Sequence, residues 1–125
     1  MAGTREQPAR EHRILFEIVV DAYDESERAL GWYYYLEEKM DFPFKANCIS
    51  ARATSPLEVG THVEVLGMAP EDDCMSEVLV FVRYGRTKKS KLAVPLAQLE
   101  CLSTNVMTRQ AVEDWHYWVA RGYEY

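Results

Sequence analysis

Long apolar runs are missing from this chain. No stretch of about 18 consecutive apolar residues occurs, so no segment has the length of a membrane-spanning helix. The opening MAGTREQPAR lacks the apolar core of a secretory leader, and a cytoplasmic protein is expected. Cysteine is scarce as well. Cys48, Cys74 and Cys101 are odd in number, far apart and free of any CxxC spacing, which argues against a disulfide framework or a zinc knuckle and predicts reduced thiols. No glycine-rich phosphate loop, internal repeat or low-complexity tract is present. No serine or cysteine is tied to a histidine in a recognisable nucleophile motif, and an enzyme is not expected.

What is present bounds the architecture. A chain of 125 residues, 48% hydrophobic and 12% aromatic, is enough for one core, so residues 1–125 are predicted to form a single domain. The net charge is −6, but its distribution says more than the total. Residues 21–41 carry seven acids against Arg28 and Lys39, and residues 71–77 carry Glu71, Asp72, Asp73 and Glu77 with no base. Arg83, Arg86, Lys88, Lys89 and Lys91 form a compact basic patch. An electrostatically two-sided molecule follows.

The densest stretch is GWYYYLEEKMDFPF, Gly31 to Phe44. Ala29, Tyr33, Leu36 and Met40 recur at i, i+4, i+7 and i+11, one face of a helix, which should be buried. Glu37 and Asp41 are four apart and Glu38 and Asp41 three apart, so they are like-charged neighbours near a helix C-terminus. There the macrodipole opposes them by roughly 0.3 to 1 kcal/mol when exposed. Only Lys39 offsets this locally, so the pattern suggests a hard-cation site at the helix exit. Pro43 disfavours helical geometry for Phe42 and lets the chain leave.

The remaining elements follow in order. Residues 1–10 read as a flexible tail and 11–42 as helical, with Ile14, Ile18, Val19 and Ala22 at helical spacing. Asp24 is a candidate N-cap with Glu27 as its capping-box partner, and Asp21, Asp24 and Glu25 suit the positive end of the dipole. Caps therefore account for the first acidic cluster without a metal. Residues 44–100 read as strands: Phe44 to Arg52, then a Ser55-Pro56 turn, His62 to Met68, a charged Pro70 to Asp73 loop, Val78 to Tyr84, a basic turn, and Lys91 to Val94 followed by a turn through Leu99. Their order resembles a small, strongly bent SH3-like antiparallel β-barrel. Residues 105–123 form a C-terminal helix, capped by Thr108, with Ala111, Trp115, Trp118, Val119 and the stop Gly122 on one stripe. The predicted class is α+β, a barrel flanked by N-terminal helices and a C-terminal helix.

Asp114-Trp115-His116-Tyr117-Trp118 is the one stretch that hints at catalysis. A lone histidine among aromatics on a packing helix is more often structural, and no partner nucleophile is in sight. Glu71, Asp72 and Asp73 sit instead at a strand-to-strand turn, where exposed carbonyls can supplement carboxylates for an ion that needs six to eight oxygens. A merely solvated acidic turn is the competing reading. The D-x-[DN]-x-[DN]-G-x5-E spacing of an EF-hand occurs nowhere, so any such site is built otherwise.

IVVDAYDESERALGWYYYLEEKMDFPFKA, SPLEVGTHVEVLGMAPEDDC, KLAVPLAQLE and AVEDWHYWVARGY together resemble the small bacterial calcium-binding family of the CcbP type, over roughly Ile18 to Tyr123. The resemblance implies a cytoplasmic, acidic calcium buffer or sensor, with helices on a small barrel and Ca2+ held outside any EF-hand. Charge geometry then names the candidate ligands: Glu37, Glu38 and Asp41 at the helix exit, facing Glu71, Asp72 and Asp73 across the barrel edge, with Glu77 peripheral. Modest affinity and discrimination against magnesium are expected, because magnesium demands a near-ideal octahedron. Calcium is thus the expected partner, with an unidentified protein partner open. The rival is an SH3-like nucleic-acid- or protein-binding module that uses the basic 83–91 hairpin around Tyr84; the net charge of −6 weighs against it.

Overall fold

The chain is described here from a computed structural model, over residues 7–20, 22–52, 55–83 and 91–121. Pro8 opens helix α1 (Pro8–Arg13), inside the stretch expected to be a tail, at a first-turn position where its missing N–H costs nothing. A single π-helical turn, Ile14–Ile18, continues it and buries Ile14 and Ile18. The chain then turns back to Asp24, whose carboxylate accepts from the Glu27 amide at 2.8 Å and starts α2 (Glu25–Lys39), as the capping pattern predicts. Asp21 lies outside the described residues.

The predicted stripe of α2 is the buried one: Ala29, Tyr33, Leu36 and Met40 are all in the interior, joined by Trp32 and Tyr35. Gly31 lets α2 approach the preceding turn closely, since a Cβ there would collide with the Ile18 carbonyl oxygen. After a cis Phe42–Pro43 peptide the chain enters the sheet: β1 (Phe44–Cys48), β2 (His62–Met68), β3 (Leu79–Arg83), β4 (Lys91–Pro95) and β5 (Leu99–Cys101). All pairings are antiparallel, in the order β4-β3-β2-β1-β5, with a bulge in the β2–β3 register between Val65 and Gly67. A three-residue 3-10 turn, Leu96–Gln98, carries the chain from one edge of the sheet to the other.

Two expectations are corrected here. The sheet is open rather than a closed barrel: among the described residues β4 pairs with β3 and β5 with β1, and the two edges do not meet. The turn read through Leu99 ends one residue earlier, at Gln98, and an edge strand not expected from the sequence, β5, follows it from Leu99. The reason lies in the last helix. Ile49 donates to Gln98 O and Leu102 to Lys45 O, so alternation turns the Leu99 carbonyl away from β1. That carbonyl lies 2.5 Å from His116 Nε2, and the helix thus covers the edge where another strand would have to add.

That helix, α3 (Val106–Ala120), is capped by Asn105, whose side chain accepts from the Thr108 amide at 2.9 Å. The expected cap, Thr108, is engaged elsewhere: its hydroxyl accepts the Asp41 N–H at 2.9 Å. Ala111, Trp115 and Trp118 are buried as the stripe requires, whereas Val119 is exposed and Gly122 lies outside the described residues. Trp32 of α2 meets Trp115 and Trp118 of α3 at ring separations of 5.1 and 5.5 Å, in tilted and edge-on arrangements that suit aromatic quadrupoles. Beside them Asp114, 0% exposed, accepts from Arg10, twice from Arg13 and from the Tyr35 phenol, at 2.6 to 2.8 Å. One carboxylate thereby ties α1, α2 and α3 together.

Candidate metal centre

The acidic stretch after β2 is ordered rather than a plain loop. Glu71–Cys74 form a 3-10 turn, in which Asp73 donates to Pro70 O at 2.9 Å and Ala69 donates to Leu79 O at 3.0 Å below it. Cys74 points inward. Its sulfur sits 3.4 Å from Leu79 O and accepts the Leu79 N–H at 3.5 Å, and burial pushes the thiol pKa up. With the fourth residue of the turn fixed beneath the sheet, Glu71, Asp72 and Asp73 are left exposed on the outside.

Helix α2 meets this turn through its tyrosines. Tyr33 donates its phenol to Ala69 O at 2.9 Å and packs with Ala69 and Cys74 in a small apolar cluster. Tyr34, next along the helix and off the buried stripe, is exposed and meets the Tyr33 ring edge to face at 5.6 Å. The Tyr34 pKa is raised, first by the nearby Glu71 carboxylate, then by desolvation and by Glu37; that of Tyr33 is raised first by burial, then by Glu37, Cys74 and Glu71. Glu37, one turn beyond Tyr33, therefore stands in the same field as the acidic turn. The contact comes from the middle of the helix rather than from its exit.

The candidate ligands accordingly divide. Glu71, Asp72 and Asp73 share one turn, with Glu37 beside it. Glu38 lies in a shallow depression of about 440 Å3 that also includes Glu17, Tyr34 and Lys39. Asp41 lies beyond the end of α2, past the extended Met40, and its amide is bound to Thr108 at the start of α3. Glu77 is paired with Arg52 at 3.1 Å. Among the described residues no three histidine, cysteine or acidic side chains are gathered into a ready-made metal cage. The donor chemistry nonetheless fits a hard cation, since carboxylates and turn carbonyls are the oxygens calcium uses, in a flexible shell that water completes.

The other sequence candidates are accounted for structurally. Asp114 is consumed by its two arginines and Tyr35, and His116 by Leu99 O. Burial lowers the His116 pKa, against the opposing pull of the Leu99 carbonyl and of Glu113 and Glu100. Of the basic patch, Arg83 pairs with its cross-strand neighbour Glu64 at 3.0 Å and the Lys91 ammonium lies 4.4 Å from the Phe81 ring centroid. Tyr84, Arg86, Lys88 and Lys89 lie outside the described residues. Sequence reasoning passed over the Tyr33 hydroxyl, which reaches Ala69 O at 2.9 Å; the available signal was a polar tip on an otherwise apolar stripe.

Residues 12–119 match the CcbP family, whose description is calcium binding. Two solved structures resemble the chain over 100% of both lengths: the crystal structure of Anabaena CcbP, 39% identical with a TM-score of 0.87, and a calcium binding protein in the calcium-binding form, 42% identical with a TM-score of 0.86. No curated protein matches. By the extent of the family match, and by full-length likeness to both structures, the chain belongs to the CcbP-type calcium-binding family.

Proposed function

We propose that this protein is a calcium buffer or sensor of the cytoplasm, which grips the ion outside any EF-hand with the turn Glu71 to Asp73 and with Glu37 of α2. One observation carries the placement: the Tyr33 phenol bound to Ala69 O at 2.9 Å, which brings the middle of α2 against the acidic turn. Glu71, Asp72 and Asp73 supply carboxylate oxygens from one side and Glu37 from the other, with turn carbonyls and water completing the six to eight that calcium takes. Glu38 and Asp41 belong to the proposed set as outlying carboxylates that raise the local negative potential. Free thiols at Cys48, Cys74 and Cys101 support the reducing compartment.

Exposed ligands that must close around the ion point to modest affinity, on the order of 10⁻⁶ to 10⁻³ M. Magnesium binds less well, because a loose carboxylate cluster does not repay the water it must shed. A calcium titration followed by amide NMR and calorimetry tests this. Amides of residues 71–74 and of Glu37 should shift, and Asp72→Asn should weaken binding about tenfold or more. Signals that ignore millimolar calcium, or that move equally with magnesium, would remove this site.

A further inference from the structure

We propose that the π-helical turn and the loop after it, Leu15 to Tyr23, present a docking surface for a basic amphipathic segment of another protein. Ile14 and Ile18 of that turn are buried in the core, whereas four large apolar side chains stand in solvent: Leu15 at 55% exposure, Phe16 at 62%, Val20 at 50% and Tyr23 at 83%. The two rings alone leave roughly 200 to 350 Å2 open, which approaches the largest exposed patch of an ordinary monomer and marks it as an interaction surface.

The charge around the patch selects its occupant. Glu17 stands within it and shares the shallow depression between the π turn and α2 with Tyr34, Glu38 and Lys39. Asp24, Glu25 and Glu27 follow Tyr23 on the exposed start of α2. Arg10 and Arg13, from the preceding turns, are already engaged by buried Asp114. The field over the patch is therefore negative. An anionic lipid surface is repelled by such a field. A helix that interleaves Lys or Arg with apolar side chains on one face satisfies both parts, its apolar groups on Phe16 and Tyr23 and its cations beside Glu17 and Glu38.

The probe is a fluorescein-labelled designed helix of leucine and lysine, with a control in which serine replaces leucine. Fluorescence anisotropy should show the leucine peptide binding the full chain at about 100 µM or tighter and the control at least about tenfold more weakly. Amide NMR should place the shifts at residues 14–20 and 34–39. Leu15→Ser with Phe16→Ser should weaken the complex about tenfold or more, leave calcium affinity unchanged and keep the melting temperature within about 3 °C of the parent. Tyr23→Ser, at the most exposed of the four positions, should weaken it too with no packing lost. Glu17→Gln should weaken it a few-fold, an effect that about 1 M salt removes. Equal affinity for the serine peptide, shifts confined to residues 71–73, or undiminished binding by the double and Tyr23→Ser variants would overturn the proposal. So would binding to phosphatidylserine vesicles that these changes abolish, which would make the patch a lipid contact, or a dimer in sedimentation that they disperse, which would make its occupant a second copy.

Discussion

Replacing Asp114 by asparagine isolates the strongest buried polar feature of the fold. The side chain is fully buried and is the common acceptor for Arg10 Nη1, Arg13 Nε, Arg13 Nη2 and the Tyr35 phenol, at 2.6 to 2.8 Å. Asparagine keeps the shape but presents an NH2 where a second acceptor is needed, and it leaves two guanidinium groups without their counter-charge. Breaking a buried ion pair by removing one partner costs about 3–5 kcal/mol. The arginines retain 19% and 21% exposure, and Glu113 lies 3.6 Å from Arg10, so water and Glu113 recover part of this. The lower end, about 3 kcal/mol, applies. For a domain between the size classes usually tabulated, each kcal/mol moves the midpoint by about 3–5 °C, so Asp114→Asn should melt about 10–15 °C lower. Reversible thermal unfolding by circular dichroism, without calcium and at neutral pH, measures it. The loss should persist at high salt, because screening acts weakly on buried pairs. A midpoint within about 3 °C of the parent would mean that this network contributes no more than a surface ion pair and would refute the reasoning.

The acid side of the stability profile should carry the signature of His116, whose pKa burial lowers. The unfolded chain keeps the ordinary value near 6.5, so it takes up a proton before the native state does. Stability present above about pH 6.5 is therefore lost as pH falls toward the folded pKa. His116→Gln, which retains an N–H donor for Leu99 O, should flatten that slope; equal slopes in melts between pH 7.5 and 5 would count against it. Gly31→Ala should destabilise the protein although alanine is the better helix former. The Ile18 carbonyl in the way of a Cβ is backbone, so overpacking reaches about 3 kcal/mol, the gain in propensity returns about 1, and a net loss of about 2 kcal/mol follows. A variant as stable as the parent would show that the preceding turn yields freely.

The parts of the fold legible in the sequence are those written in local periodicity. Ala29, Tyr33, Leu36 and Met40 announce the buried face of α2 because a helix brings its fourth neighbours onto one side. Asp24 announces its start because the orphan amides of a first turn need an acceptor within three residues. His62 to Met68 matches β2 at both ends. What escaped was decided by distant partners. β5 is three residues long and is a strand only because β1, some fifty positions earlier, offers an edge. Thr108 is not the cap because the helix already starts at Val106 behind Asn105, and its hydroxyl instead accepts the Asp41 N–H. Arg10 belongs to a polar N-terminal stretch until Asp114, 104 residues away, gives it a reason to be ordered.

The same division applies to the proposed calcium site. Two acidic windows are evident from composition, but which carboxylates of α2 face the turn depends on where the helix touches it, and that is set by Tyr33 reaching Ala69 O. Read as a one-dimensional pattern, Tyr33 is a stripe residue and its hydroxyl goes unnoticed. In the folded chain that hydroxyl fixes the contact point of α2 on the turn, a full turn before Glu37, whereas Asp41 lies beyond the end of the helix. Local charge density thus favoured the helix exit, whereas the buried hydrogen bond from Tyr33 to Ala69 O favours the helix middle. The bond carries more weight, because an unpaired buried carbonyl would cost about 1–3 kcal/mol, whereas repulsion among exposed carboxylates costs only a few tenths. In the proposed site, Glu37 rather than Asp41 is therefore the carboxylate of α2 assigned to the turn.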